Sequence, residues 1–328
     1  MERILIIILA VFYLVGCDRS KGPEKKAHQL SVGLQSSAIS SLVILAKAKG
    51  YFSQEGLDVT LKHFPSGKLA LLAMFDGKVD LSTCTDMPIM VNSFKRSDFV
   101  VLSSIANTNN GAWIIARKDK NINTPKDLIG KTIGTQKSSA VHFFLSMFLL
   151  HHQISESDVT VKFMKAVDLP NALINGKVDA FSMRNPYINQ AKLALKENAV
   201  EFFFPGIYHQ YFNLVTRQSY VNSNPLIIQK FLKTLGAAEK SSLTNRKESI
   251  ELISNELEIA NAMSLEQEWA TYNFTLALDQ SLLLTLEDEA EWFIRSGLTS
   301  ETEIPKYLDF IYFDGLKQVK PGAVSIIH

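Results

Sequence analysis

Two serine pairs carry the most suggestive chemistry in the chain. Ser36-Ser37 and Ser138-Ser139 each follow a short strand pattern and precede alanine and an apolar helical stretch. A helix start offers unsatisfied N–H groups and the positive end of the peptide dipole, so such a position suits an anion, and serine adds hydroxyl donors. Ser66-Gly67 opens a further helix in the same way. Plain capping, at about 0.5–2 kcal/mol each, accounts equally well for any single serine; the set favours binding. Arg184, in Met183-Arg184-Asn185-Pro186, brings a planar guanidinium that can clamp a carboxylate or sulfonate with two hydrogen bonds, with Asn185 beside it. The competing role for Arg184 is a hinge or surface ion pair. Asp86 stands in the matching turn Thr83–Pro88. It either accepts from an amine or ring N–H of a ligand or, the more frequent role, caps a helix starting near Pro88. Asn107, Asn109 and Trp113 fall near a chain crossing and are candidates for the same cleft, although a strand aromatic usually belongs to the core.

Other chemistry fails on spacing. Gly130-Lys131-Thr132 has the end of a phosphate loop, yet the required upstream glycine position is Pro125. His151 and His152 are adjacent and diverge on a helix, and no His-x-x-x-His pair or C-x-x-C exists for a metal. No G-x-S-x-G elbow is present. No catalytic residue, cofactor or metal is therefore expected. The acidic stretch Glu287–Glu291 reads as a solvated helix face.

The elements that must position these residues form a faint internal repeat. Each copy, Leu30–Pro88 and Lys131–Pro186, runs strand, serine pair, apolar helix, second strand, short helix ending in Gly-Lys-Val-Asp, third strand and a turn closing on proline. The serine pairs are offset by 138 − 36 = 102 residues and the Gly-Lys-Val-Asp units by 176 − 77 = 99. Strands alternating with helices predict two α/β lobes, each a doubly wound parallel sheet, with ligands at the strands' carboxyl ends. Trp113–Lys118 and Phe212–Arg217 read as a two-strand hinge. Pro225–Ser241, Arg246–Ile259, Ser264–Tyr272 and Leu282–Ser296 carry helical apolar spacing and are expected to pack on lobe one. The expected division is lobe I over 29–117, lobe II over 118–211, and the helical remainder of lobe I over 212–328.

Composition agrees with two compact units. The 328 residues include 34 basic and 33 acidic side chains and 46% apolar residues, which excludes a polycation for nucleic acid and a disordered chain. At the amino terminus Ile4–Val15 is apolar apart from the Tyr13 hydroxyl, the length of a signal-peptide core and short of the roughly 20 residues of a permanent span. Leu14-Val15-Gly16-Cys17 resembles the lipobox of bacterial lipoproteins. The resemblance implies a leader over 1–16, cleavage before a lipidated Cys17, and a tether over 17–28. Cys84 is then left without a partner and is expected as a small buried hydrophobe.

A wider resemblance rests on Ala48-Lys49-Gly50-Tyr51-Phe52-Ser53-Gln54-Glu55-Gly56-Leu57-Asp58-Val59, on Asp127–Gly134, and on the second Gly-Lys-Val-Asp-Ala unit with Asn185-Pro186-Tyr187. These resemble nitrate/sulfonate/taurine-type substrate-binding lipoproteins of ABC importers, the NMT1/THI5-like group. The resemblance implies a type II periplasmic-binding fold with a helical carboxyl-terminal segment on lobe one. It further implies a non-enzymatic, monomeric receptor outside the cytoplasmic membrane that delivers a small anionic solute to an ABC permease. A pyrimidine receptor, a sensor for a membrane signalling protein, and a biosynthetic enzyme on the same fold are the alternatives. Arg184 stands where the family often has an aromatic residue, which favours an acidic organic solute.

Overall fold

The structure, a computed structural model, describes residues 27–258, 265–266 and 269–327. The leader, Cys17, most of the tether and residues 264, 267 and 268 of the helix expected over Ser264–Tyr272 lie outside them.

The first repeat and the segment that follows it build β1 (His28–Gln35), α1 (Ser41–Ala48), α2 (Tyr51–Gln54), β2 (Leu57–Phe64), α3 (Gly67–Phe75), β3 (Leu81–Thr85), α4 (Asp86–Ser93) and β4 (Phe99–Thr108). The second, with the segments that flank it, builds β5 (Trp113–Arg117), β6 (Thr132–Thr135), α5 (Ala140–His151), β7 (Thr160–Phe163), α6 (Leu169–Ile174), β8 (Ala180–Met183), α7 (Tyr187–Leu195) and β9 (Ala199–Phe202). Leu30, Val32 and Leu34 show the period of two that buries one face of β1. The chain then returns through β10 (Gln210–Arg217) into α8 (Gln218–Ser223), α9 (Pro225–Thr244), α10 (Arg246–Glu256), α11 (Gln280–Arg295) and α12 (Phe313–Val319).

Two five-stranded sheets result, ordered β2-β1-β3-β10-β4 and β7-β6-β8-β5-β9. Both follow one plan, as the offset repeats require. They are not wholly parallel: β10 runs antiparallel to β3 and β4, and β5 antiparallel to β8 and β9. Each odd strand is the one by which the chain arrives from the other sheet, so it enters from the opposite end. The expected boundaries move for the same reason. Trp113–Arg117 is a strand of the second sheet and Gln210–Arg217 of the first, so the chain changes sheets at 109–112 and 203–209 instead of within those strands.

Every residue of β4 is buried although it ends its sheet. Backbone bridges to Ala277, Asn273 and Ile311 cover it, which protects an edge that would otherwise expose unpaired groups. The carboxyl-terminal helices pack on the first unit as expected, with Phe52 of α2 stacked on Phe231 of α9 at 4.9 Å. Helix α11 also reaches the second unit: Trp292 Nε1 donates to Ser146 Oγ on α5 at 2.9 Å, and its ring meets Phe143 at 5.3 Å. The acidic stretch on α11 is only partly solvated. Glu287, Asp288 and Glu291 are exposed, but Glu289 is fully buried, because it falls on the Leu282, Leu286, Phe293 stripe at helical spacing.

Candidate functional site

The parallel strands of both sheets aim their carboxyl ends at one cavity of about 540 Å³, a volume ordinary for small-molecule sites. The turns after β1 and β2 supply Ser36, Ser37 and Ser66, and the last residue of β3 is Thr85. Those after β6 and β8 supply Ser138, Ser139, Arg184 and Asn185. Seven of the sequence-derived candidates thus meet, drawn from segments up to 149 residues apart in sequence (185 − 36).

Only one of the serines caps a helix as expected. Ser66 Oγ accepts from Leu69 N at 3.3 Å. Ser37 and Ser139 hold the cap positions of the turn at Ala38 and of α5 with extended backbone but make no side-chain cap. Ser37 Oγ instead accepts from Gln35 Nε2 at 3.4 Å, and Ser139 Oγ donates to the Gln136 carbonyl at 2.5 Å. Ser36 Oγ lies 3.5 Å from His63 Nδ1. Ser138 sits at φ +53°, a left-handed conformation that costs a serine energy and is characteristic of functional turns. The amino end of α5 therefore faces the cavity with its dipole, and its cap hydroxyl is not spent on the helix's own N–H groups.

Charge on the cavity wall has one sign. Lys68, Lys137 and Arg184 line it, and no Asp or Glu does among the described residues. Arg184 is half-buried and makes no ion pair with any described carboxylate, so the ion-pair alternative fails there. Lys137 rests over the Phe163 ring at 5.6 Å. Lys68 and Lys137 escaped the sequence reading. The repeat could have found Lys137, since the 102-residue serine offset places it at the counterpart of Gln35 (137 − 35 = 102), which also lines the cavity.

Three candidates lie elsewhere. Gly67 is buried behind the wall: a Cβ there would come within 2.8 Å of the Cys84 Cα and the Gln35 Oε1, and its N–H donates to that same Oε1 at 3.0 Å. Its role is the close approach of α3 to β3. Asn109 is in the exposed first crossing, where its carbonyl accepts from Gly206 N at 3.1 Å in the second. Asn107 and Trp113 are also away from the cavity, bonded to His209 and Asn110. Cys84 is fully buried, and burial, helped by the Asp86 charge, pushes its thiol well up.

Asp86 is fully buried and part of a different constellation. It is the first residue of α4, two positions earlier than expected, and accepts from Met87 N at 2.8 Å, from Tyr211 N at 2.7 Å and from Tyr208 Oη at 2.8 Å. Tyr208 belongs to the second crossing and also lies 2.7 Å from Glu289 Oε1 on α11. Burial pushes the Asp86 carboxyl up to about 6 against the pull of these donors. Glu289 is driven well above the usual carboxylate range by burial, and then by the Asp86 charge. This cluster ties the crossing to the first unit, and Asp86, Tyr208 and Glu289 are not among the residues that line the cavity.

The geometry has recognisable relatives. A Bacillus subtilis (strain 168) protein, provisionally named an aliphatic sulfonates-binding protein, is 26% identical over 251 residues, 73% of each chain. The taurine-binding periplasmic protein of Escherichia coli (strain K12) is 23% identical over 228 residues, 68% of this chain and 69% of its own. The crystal structure of the periplasmic aliphatic sulphonate binding protein SsuA from Escherichia coli superposes with a TM-score of 0.73 at 20% identity, covering 87% of this chain and 92% of that one, and so shares the fold. The NMT1/THI5 like family model matches residues 39–248, and the chain belongs to that family.

Proposed function

We propose that this chain is an extracytoplasmic solute receptor of an ABC importer, a binding protein and not an enzyme. It takes a small anionic solute, sulfonate-like in its head group, between its two sheets. The observation that carries this reading is the cavity wall: three cations, serine hydroxyls and the amino end of α5, with no carboxylate among the described residues. Donors and cations gathered around one cavity replace an anion's hydration. The relatives named for sulfonates and taurine support the same solute class.

Two short crossings, at 109–112 and 203–209, join the units. A solute that touches both walls binds a closed arrangement better than an open one and shifts the population by that difference. The closed form is what a membrane permease would take up, and lipid on Cys17 would hold the receptor beside it.

The test is a thermal-shift screen of the soluble chain, beginning at Asp18, against nitrate, alkanesulfonates and taurine. A ligand at 100 times its Kd stabilises by about 2.7 kcal/mol. Arg184→Ala is expected to abolish the shift. An unchanged shift removes Arg184 from the site, and no shift with any anion sinks the receptor reading.

A further inference from the structure

We propose that the solute is an organic dianion, bearing two acid groups and no ammonium; this deepens the receptor reading above and rests on it. The duplicated frame makes the charge distribution informative. Lys137 occupies the counterpart of Gln35, and Arg184 that of Thr85 by the offset of the Gly-Lys-Val-Asp units (184 − 85 = 99). All four residues line the cavity. The first unit therefore presents neutral donors at two positions where the second presents cations. The first unit contributes its own cation from a different place, Lys68 on the opening turn of α3.

The wall thus carries three positive charges from two sides and, among its described residues, nothing negative to offset them. Closing such a cleft over a monoanion leaves two of the three cations without a counter-charge, against one over a dianion, and an unpaired charge is costly to desolvate. A ligand with an acid at each end offsets Arg184 and Lys137 on one wall and Lys68 on the other. It thereby gains most of its attraction only when the walls approach, which couples charge to closure. Exposed Lys68 and Lys137 can each swing on flexible stems to meet an acid group. A zwitterion of the taurine type brings an ammonium into this field with no described carboxylate to receive it.

Three two-carbon sulfonates of nearly equal size separate these cases: taurine, with no net charge, isethionate, with one negative charge, and sulfoacetate, with two. Titration calorimetry of the soluble chain from Asp18, at neutral pH and low salt, is expected to rank sulfoacetate tightest and taurine weakest, each step by about tenfold or more in Kd. Arg184→Gln and Lys68→Gln are each expected to shrink the sulfoacetate-to-isethionate ratio, and added sodium chloride to compress it. Equal binding of sulfoacetate and isethionate, or preference for taurine, overturns the dianion proposal and leaves the anion receptor standing. Binding of a simple monoanion from the thermal-shift screen while all three sulfonates fail does the same. Failure of these three and of every anion in that screen overturns both.

Discussion

Glu289→Gln tests the most tightly constrained geometry in the molecule. Tyr208 Oη lies 2.8 Å from Asp86 Oδ1 and 2.7 Å from Glu289 Oε1, yet one hydroxyl proton serves only one of those acceptors. The second short contact needs a proton on a carboxyl. Asp86 already accepts from two backbone N–H groups, which favour its ionised form, whereas Glu289 Oε2 is buried with no hydrogen-bond partner among the described residues. The proton therefore belongs on Glu289, whose carboxyl is raised by burial and by the Asp86 charge. An unfolded glutamate titrates near 4.5. Above that pH the folded state keeps a proton that the unfolded state has released, so stability falls as pH rises, by about 1.4 kcal/mol per pH unit for one proton. Glutamine keeps the neutral shape and does not titrate. Between pH 5 and pH 7 the variant is expected to gain up to about 2.7 kcal/mol on the wild type. Urea unfolding at pH 5, 6 and 7, followed by tryptophan fluorescence, reads this through Trp292, one turn along α11. His142, held down to about 4 chiefly by burial, acts in the opposite sense: its stability contribution is lost as pH falls from 6.5. It is common to both proteins and cancels in the difference. A difference that stays flat with pH, or grows toward acid, refutes the assignment of the proton.

The remaining predictions follow from packing and burial. Gly67→Ala pushes a Cβ against the Cys84 backbone, which cannot swing aside, and is expected to cost about 1–3 kcal/mol in urea unfolding while displacing Gln35 and weakening ligand binding. Cys84 is expected to resist alkylation in the native protein and react rapidly once unfolded; fast native modification, read by mass spectrometry, would contradict its burial. Trp292→Phe and Ser146→Ala each remove one hydrogen bond between α11 and α5, and a double-mutant cycle in unfolding free energy is expected to return a coupling of about 0.5–1.5 kcal/mol. Cys17→Ala is expected to move the chain from the membrane to the soluble fraction on cell fractionation.

Much of the site was legible because it is local. A strand ending in two serines before an apolar helix is written within about a dozen residues, and the repeat writes it twice. Arg184 was legible for the same reason: it follows directly on β8. Lys68 was not, because a lysine on the opening turn of a helix looks like any solvated charge until the opposite wall is in place. Glu289 had a readable signal, its position on the Leu282, Leu286, Phe293 stripe, but a run of four acids within five residues masked it.

From sequence alone came the two-unit plan, the order of elements in each repeat, and the turns that offer donors, since hydrophobic period and turn residues act over short distances. Tertiary structure alone decided strand direction at the crossings, the sign of the cavity wall, and which acids are buried. Asp86 is separated from Tyr208 by 122 residues and Tyr208 from Glu289 by 81. No local pattern encodes such a meeting; it exists only once β10 has paired beside β3 and α11 has closed over the second crossing. A carboxyl's cost of burial depends on what surrounds it, so its role is fixed by neighbours that the chain brings from far away.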